Sequence, residues 1–335
     1  MTDREQFLAE RRTGLGASDM GAVLGLDPYR TPFQVWQEKT GRVPPFDGNL
    51  ATRTGAWLEE FIAQEYCRET GQRVQRWTAC LRHPSAPLLA HPDRLVIPAG
   101  QYRAHIRNQV RTDKGLECKH TSVYAAGALS EWGAAGSDQI PARFLLQCAQ
   151  NMALANVPHW DLAVLIGNGE FRVYHLHRDQ ELEDLLIAEG SRWWRDHVVA
   201  DIPPDPRSEG EARQRWPRHR TGQTLTLDDA AWQDFQDYRQ LKAEAAALEE
   251  RLTALKDRLY PAFQDADTLL DPAGRPIATY RAARDSQRTQ WQALAGDLLG
   301  RVYPDEGEKA AAIERFTTTH PGARSLRLLK PTEQP

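Results

Sequence analysis

Two short stretches of the sequence decide the expected fold: residues 91–97 are HPDRLVI, and residues 116–119 are LECK. Leu95–Ile97 and Leu116–Lys119 are short segments with polar or turn-forming neighbours, which predicts two strands. Side chains alternate between the two faces of a strand, so Glu117 and Lys119 share one face and Cys118 points to the other, toward the core. We therefore expect an acid and an ammonium group side by side on a sheet.

Asp93 stands directly before the first strand and adds a second carboxylate. Asp93 and Glu117 would hold Mg²⁺ or Mn²⁺ through oxygen ligands, and such a metal polarises a phosphoryl oxygen and acidifies a bound water. Lys119 would position that water or stabilise the developing charge. This combination indicates phosphodiester cleavage. On these residues alone, however, a turn aspartate and a solvated strand face are the simpler explanation.

The segments around these strands predict a mixed α/β domain, a mixed sheet flanked by helices. The hydrophobic pattern and end signals predict five helices, at Ser18–Leu24 with Ser18 as N-cap, Pro32–Lys39, Thr52–Thr70, Pro141–Ala155 and Asp179–Val198. Two more strands, Leu162–Ile166 and Phe171–Leu176, flank the turn sequence GNG at residues 167–169. The Arg-rich segment Gly100–Gly115 is predicted to be a hairpin extension or a loop.

The composition changes after residue 200, which predicts a domain boundary. We expect a nuclease-like domain at 1–200, a Pro/Arg-rich linker at 201–224, a long helix at 225–265 and a small α+β domain at 266–335. Within 266–335, Leu269–Leu270 and Ile277–Tyr280 should form a hairpin, followed by one or two helices and a last strand at Ser325–Leu329. The long helix has a heptad seam formed by Leu241, Ala245, Leu248, Leu252, Leu255 and Leu259. That seam predicts packing in a hairpin or self-association.

Composition and charge exclude several classes of protein. The net charge of -4 excludes a globally basic DNA-binding protein, although a local basic patch remains compatible with it. No apolar run approaches the length of a membrane helix, and the N-terminus predicts no signal peptide. The four cysteines have no paired spacing, which argues against zinc, iron–sulfur and disulfide frameworks and favours a reducing cytoplasm. Neither a zinc-protease helix motif nor a P-loop is present.

Further along the chain, an ordered series of motifs resembles the YqaJ-like viral recombinase family, relatives of phage lambda exonuclease within the PD-(D/E)xK nucleases. Each motif is weak alone, and their shared order carries the resemblance. The motifs are Gly14–Asp19, Leu24–Tyr29, Thr31–Trp36, Gly55–Glu60, Ala90–Asp93, Leu116–Ser122, Glu131–Gly133, Ile140–Pro141, Gln147 and Leu162–Tyr174, with Ala278–Tyr280 and Arg324–Leu329 near the C-terminus.

The resemblance implies a restriction-endonuclease-like core and assigns roles to residues at its centre. Asp93 and Glu117 correspond to metal-binding carboxylates, and Lys119 to the catalytic lysine. Glu59 corresponds to a helix-borne acid that helps to hold a metal. Its neighbour Glu60 fits that role as well, and an ordinary surface glutamate is an equal explanation for Glu59.

The resemblance also implies roles for three parts of the flanking helices. Gln147 corresponds to an active-site glutamine, although a buried, satisfied amide explains it almost as well. Ser18, with Arg11 or Arg12, resembles an element that binds a DNA phosphate. A helix N-terminus favours anions through its free N–H groups, and a plain N-cap role for Ser18 is compatible with phosphate binding.

This chain departs from the family pattern at three places. Arg94 follows the catalytic aspartate where the family usually has Gly, and His120 follows the catalytic lysine where a small residue or Thr is commoner. The segment between Asp93 and Glu117 is also longer than in compact members. Its basic residues could contact the DNA backbone, but a charged, solvated loop is the stronger explanation; these residues are Arg103, Arg107, Arg111 and Lys114.

The resemblance implies a metal-dependent exonuclease that resects linear double-stranded DNA, 5′→3′, for recombination by single-strand annealing. The expected cofactor is Mg²⁺ or Mn²⁺. The expected partners are double-stranded DNA ends, a single-strand annealing protein and further copies of the chain, without a membrane, in a bacterial cytoplasm with a phage or prophage gene. An endonuclease or single-strand nuclease on the same core, and a non-catalytic scaffold that binds DNA ends, remain alternatives.

Overall fold

The strand that carries Glu117 and Lys119, Lys114–Thr121, lies in the middle of a five-stranded sheet. The structure is a computed structural model that describes residues 3–44, 48–122, 128–284, 286, 288–303, 305–318 and 326. The chain divides into two units, Met1–Arg215 and Trp216–Pro335, and the sheet belongs to the first.

The strands of the first unit form a mixed arrangement, as the sequence predicted. In chain order they are β1 (Leu15–Gly16), β2 (Arg73–Arg76), β3 (Leu81–Arg82), β4 (Leu88–Ala90), β5 (Arg94–Ile97), β6 (His105–Ile106), β7 (Gln109–Val110), β8 (Lys114–Thr121), β9 (His159–Ile166) and β10 (Glu170–His177). The five-stranded sheet has the order β10-β9-β8-β5-β2, and β1-β4-β3 form a smaller sheet. Within the large sheet β8 and β9 are parallel, while the other neighbours are antiparallel.

The helices of the first unit surround this sheet. They are α1 (Asp3–Arg11), α2 (Met20–Val23), α3 (Pro32–Lys39), α4 (Leu50–Thr70), α5 (Ala142–Ala155), α6 (Gln180–Trp193) and α7 (Glu209–Arg215), with a π-helical turn at Trp194–Val199 after α6. The ends of α4 follow from its sequence: Asn49 accepts the N–H of Thr52, and Gly71 adopts a left-handed conformation with φ 69°.

The core consists of two layers of side chains, one on each face of the large sheet. On one face Ile62 and Tyr66 of α4 pack with Leu116 and Cys118 of β8. On the other face side chains of α5 pack with β9. Cys118 therefore points into the core below α4, as the strand alternation predicted, and Glu117 and Lys119 point toward α5.

The predicted helix at Ser18–Leu24 is wrong in its start and its cap. A 3-10 helix occupies Ala17–Asp19 and is followed by the short helix α2. Gly16, not Ser18, is the N-cap residue, and its backbone N–H donates to Asp19 Oδ2 at 2.8 Å. The reason is that the Asp19 side chain folds back on the turn, a local bond that competes with a regular helix start.

The Arg-rich segment between β5 and β8 contains a hairpin, the first of the two predicted forms. Strands β6 and β7 pair through a two-residue turn in which Arg107 and Asn108 have positive φ angles of 49° and 61°. Such angles are typical of tight hairpin turns whose twist matches that of the strands. Lys114 lies at the start of β8, where its Nζ is 3.2 Å from Asp161 Oδ2.

The segment predicted as a linker, 201–224, begins as part of the first unit. Thr31 Oγ1 donates to Glu211 Oε1 at 2.6 Å, and Gln37 Nε2 donates to Gln214 Oε1 at 2.8 Å. Helix α7 is thus held against α3, and the unit boundary follows Arg215.

The second unit begins with a helix close to the predicted one. Its elements are α8 (Asp229–Phe263), β11 (Thr268–Leu270), β12 (Pro276–Thr279), α9 (Trp291–Val302) and α10 (Glu306–Arg315). β11 and β12 form an antiparallel hairpin. The predicted strand Ser325–Leu329 lies outside the described residues except for Leu326. None of the helices described in either unit has the length and apolar character needed to cross a membrane.

A buried ionic cluster ties α1, the 3-10 helix and α3 together. The side chain of Asp19 is fully buried and lies 2.5 Å from Arg30 Nη1, 2.6 Å from Lys39 Nζ and 3.4 Å from Arg11 Nη2. Burial by itself would raise the pKa of Asp19, but the charges of Lys39, Arg30 and Arg11 outweigh it and hold that pKa well below its usual range.

We expect Asp19→Asn to lower the free energy of unfolding of the first unit by about 3–5 kcal/mol, because it leaves three buried or half-buried cations without their carboxylate. Because the pKa of Asp19 is lowered in the folded state, its ionised form stabilises the wild type at neutral pH, and this contribution fades as the pH falls below about 4. Urea unfolding followed by tryptophan fluorescence measures both effects. Equal stability of variant and wild type at pH 7 would contradict this account.

Candidate active site

Asp93 and Glu117 lie side by side although 23 residues separate them in the chain. Asp93 precedes β5, and its Oδ2 accepts the backbone N–H of Cys118 on β8 at 2.9 Å. That bond fixes the Asp93 carboxylate beside the residue that follows Glu117. The sheet thus brings the predicted carboxylates together where the neighbouring strands β5 and β8 meet.

Glu117 is 1% exposed, and three groups on two elements surround its carboxylate. Lys119 Nζ lies 2.6 Å from Oε1, and Gln147 Nε2 donates to the same oxygen. Asn151 Nδ2 donates to Oε2 at 3.1 Å. Gln147 and Asn151 are four residues apart on α5 and therefore share one face of that helix.

Asn151 is the site residue that the sequence interpretation missed. Its spacing from Gln147 was the available signal, since two amides at i and i+4 on an otherwise apolar helix face need buried partners. Asn151 Oδ1 is buried and accepts no hydrogen bond from any residue in the described part of the chain.

The charges at the site are unbalanced. Burial, followed by the negative charge of Glu117, raises the pKa of Asp93 well above its usual value. Burial opposes the charged form of Lys119, but the charges of Glu117 and Asp93 outweigh it and raise the pKa of Lys119. A buried carboxylate and a half-buried one thus lie near one ammonium group, an arrangement that a cation would stabilise.

The donor set fits a hard divalent cation. Asp93 and Glu117 offer carboxylate oxygens, the ligands that Mg²⁺ and Mn²⁺ prefer, and the neighbouring nitrogen groups orient Glu117 without adding soft ligands. When bound, such an ion would polarise a phosphoryl oxygen and lower the pKa of a water.

Glu59, the predicted third metal ligand, lies near Asp93 but is already paired. Arg94, which is 3% exposed, contacts Glu59 Oε1 through Nη1 at 2.5 Å and Glu60 Oε2 through Nη2 at 2.9 Å. The charge of Glu59 contributes to the raised pKa of Asp93. Arg94, the residue that departs from the family pattern, therefore neutralises the helix-borne acids.

The predicted phosphate-binding residues are only partly brought together. Arg11 contacts Asp19, the chain neighbour of Ser18, and Ser18 is exposed on the 3-10 helix. Arg12 is exposed and is not part of the Asp19 cluster. Arg11 and Ser18 thus both lie next to Asp19, and the cations around Asp19 outnumber its carboxylate.

A second group of donor atoms includes His91 of the His-Pro-Asp loop. Glu10, Cys80 and His91 each offer an atom, and the three atoms lie within 4.8 Å of one another. Arg82 already pairs with Glu10 Oε1 at 3.1 Å, and burial raises the pKa of the Cys80 thiol to about 11. These contacts favour a protonated thiol and a paired carboxylate, and this group contains none of the predicted site residues.

Comparison with known proteins gives the family. A family model described as the YqaJ-like viral recombinase domain matches residues 6–158. The protein named "Uncharacterized protein YqaJ" of Bacillus subtilis (strain 168) is 30% identical over 272 residues, which cover 79% of this chain and 79% of that protein. This chain belongs to the YqaJ-like viral recombinase family. The segment matched by the YqaJ-like model contains every predicted site residue from Arg11 to Gln147, and Asn151 as well.

Two solved structures are also similar to this member of the YqaJ-like family. An alkaline exonuclease (LHK-Exo) from Laribacter hongkongensis is 18% identical, with a TM-score of 0.44, over 59% of this chain and 94% of that chain. A phage-related exonuclease from Haemophilus somnus 129PT is 11% identical, with a TM-score of 0.39, over 56% of this chain and 96% of that chain.

We expect Asn151→Ala to weaken Mn²⁺ binding roughly 10–100-fold, because the hydrogen bonds that orient a ligand carboxylate contribute that much to affinity. Isothermal titration calorimetry measures the binding. Asn168→Ala, in the exposed turn between β9 and β10, is the control and should bind Mn²⁺ as the wild type does. Wild-type affinity in the Asn151 variant would show that this amide does not position Glu117 for a metal.

Proposed function

We propose that this protein is a metal-dependent deoxyribonuclease that resects linear double-stranded DNA from its ends. The observation that carries the proposal is the meeting of Asp93, Glu117 and Lys119 where the adjacent strands β5 and β8 pair, with Glu117 buried, Asp93 half-buried and the Lys119 ammonium group paired with Glu117. The two acids suit the binding of a divalent cation. The single lysine suits stabilisation of the negative charge that develops on the phosphate during cleavage.

Each residue of the site has a separate task in this proposal. Asp93 and Glu117 hold the cation, and Gln147 and Asn151 keep the Glu117 carboxylate in one orientation. Lys119 holds its proton because two acids face it, so it donates hydrogen bonds to the attacking water or to the scissile phosphate rather than acting as a neutral base. Phe144 covers Lys119, whose Nζ lies 5.4 Å from the ring centroid, and so restricts its motion.

Arg11 and Ser18 are the proposed contacts to a DNA phosphate. Ser18 is exposed, and three cations surround the single carboxylate of Asp19. This excess of positive charge supports attraction of an anion to the 3-10 helix Ala17–Asp19. Arg12 is a further exposed cation next to Arg11 and would contribute to long-range attraction of DNA.

Membership of the YqaJ-like family supports the finer parts of the proposal. The core is of the restriction-endonuclease type, resection runs 5′→3′, and the product strand passes to a single-strand annealing protein. The setting is the cytoplasm of a bacterium that carries a phage or prophage, and the cofactor is Mg²⁺ or Mn²⁺.

We expect Glu117→Gln to lower the rate of Mg²⁺-dependent digestion of linear, 5′-phosphorylated double-stranded DNA roughly 1,000-fold or more, because it removes a metal ligand whose cation stabilises the transition state by several kcal/mol. EDTA should abolish digestion by the wild type. Glu170→Gln, on exposed residue Glu170 of β10, is the matched control and should keep full activity.

Digestion of linear DNA compared with closed circular DNA distinguishes an exonuclease from the alternative functions. Linear DNA that disappears while closed circles persist supports an exonuclease, whereas cleavage of circles indicates an endonuclease. Binding of DNA ends without hydrolysis under any divalent metal would overturn the enzymatic proposal and leave a scaffold that binds ends.

We expect Glu59→Gln to raise the Mg²⁺ concentration for half-maximal activity about tenfold and Glu60→Gln to change it less than about twofold. The two acids share Arg94, and the charge of Glu59 helps to raise the pKa of Asp93. Activity measured against Mg²⁺ concentration gives both values. The reverse order would assign the metal-binding role to Glu60.

A further inference from the structure

The long helix α8 carries an apolar stripe that nothing in the described chain covers. Every residue from 240 to 262 is exposed. The leucines of the heptad seam are 44–63% exposed, namely Leu241, Leu248, Leu252, Leu255 and Leu259. An amphipathic helix in water gains most of its stability from packing of its apolar face. We therefore expect another apolar surface to pack against this stripe.

The charges beside the stripe identify that partner. In heptad terms, Leu241, Leu248 and Leu255 are d positions, and Ala245, Leu252 and Leu259 are a positions. The flanking e and g positions hold charges of both signs, namely Asp237, Lys242, Glu244, Glu249, Arg251, Lys256 and Arg258. None of these seven forms an ion pair with another described residue.

A parallel, in-register pair of two α8 helices is disfavoured by these charges. In that arrangement each g residue faces the e residue five positions later in the second helix. Glu244 would then face Glu249 of the second copy, and Arg251 would face Lys256, whereas Asp237 would face Lys242. Like charges meet at two of these three places, and twofold symmetry repeats each repulsion.

An antiparallel pair places opposite charges together throughout. In antiparallel coiled coils a layers meet d layers, g faces g and e faces e. With Leu241 against Leu252 of the second copy, Ala245 meets Leu248 and Tyr238 meets Leu255. In the same register three attractive pairs form, each twice: Lys242 with Glu249, Glu244 with Arg251, and Asp237 with Arg258.

The same register also aligns the helix ends. It brings Asp229 of one copy level, within one residue, with Phe263 of the other, so α8 is covered over its whole length. Shifting the second helix by one heptad would instead set Arg251 against Arg251, Glu249 against Glu249 and Lys242 against Lys256, and only Glu244 with Arg258 would remain attractive. We propose that α8 is a dimerisation helix that pairs in antiparallel orientation with α8 of a second copy of this chain.

The test is the mass of the full-length protein in sedimentation velocity over a range of concentrations. The wild type should contain an even number of chains and dissociate on dilution. Glu244→Arg and Arg251→Glu should each raise the dissociation constant roughly tenfold, because each reverses two symmetry-related pairs. The double variant restores opposite charges and should return to within about threefold of the wild type.

Two further variants make the test decisive. Glu250→Arg changes charge by the same amount at an outward heptad position and should leave the dissociation constant unchanged. Leu252→Asp should give monomers, with nuclease activity and thermal unfolding of the first unit as checks on folding. A monomeric wild type, an odd number of chains, or equal effects of the Glu244 and Glu250 changes would overturn the proposal. So would a tighter assembly in Glu244→Arg, which is the result for a parallel pair.

Discussion

A single hydrogen bond, from the Cys118 amide to the Asp93 carboxylate, joins the two halves of the site. It links a loop to the central strand β8 and determines how close the half-buried Asp93 comes to the buried Glu117. Lys119, Gln147 and Asn151 then gather around Glu117, because a buried carboxylate beside another one needs every available donor. The polar side chains between β8 and α5 are therefore those that donate to the Glu117 carboxylate.

The same problem of buried charge is solved differently at two other places in the first unit. At Asp19 one carboxylate is surrounded by cations, so its pKa is lowered and the cluster stabilises the fold around α1 and α3. The guanidinium of Arg94 forms ion pairs with two glutamates of α4. Burial disfavours the charged form of Arg94, and these two ion pairs offset that cost. The acids of the candidate active site differ because one ammonium is shared by two carboxylates, and that excess of negative charge suits a cation-dependent reaction.

The second unit follows another principle. Helix α8 has no covering layer in the described chain, and its heptad seam and flanking charges are complementary to an antiparallel copy of themselves. If two chains associate in this way, the particle carries two copies of the Asp93 and Glu117 site. Catalytic chemistry and association would then be encoded in separate units, and each can be changed without the other.

Local sequence was enough for much of the first unit. Periodicity and end signals determined α3, most of α4 and α5, and the β9–β10 hairpin, because these depend on neighbours a few residues away. Strand alternation also placed Glu117 and Lys119 on one face. The short strands β1, β3 and β4 were missed, since two or three residues carry no period and become strands only when a distant partner pairs with them.

The tertiary structure alone decided how the site is assembled. The sequence by itself determined the family motifs and the residue types that suit phosphodiester chemistry. It could not determine that Asn151 donates to Glu117, that Arg94 occupies Glu59, or that the Asp19 side chain folds back on Gly16 and displaces the predicted cap of Ser18. Each of these is a contact between buried polar groups, and which groups are buried together depends on how whole elements pack, which no local pattern specifies.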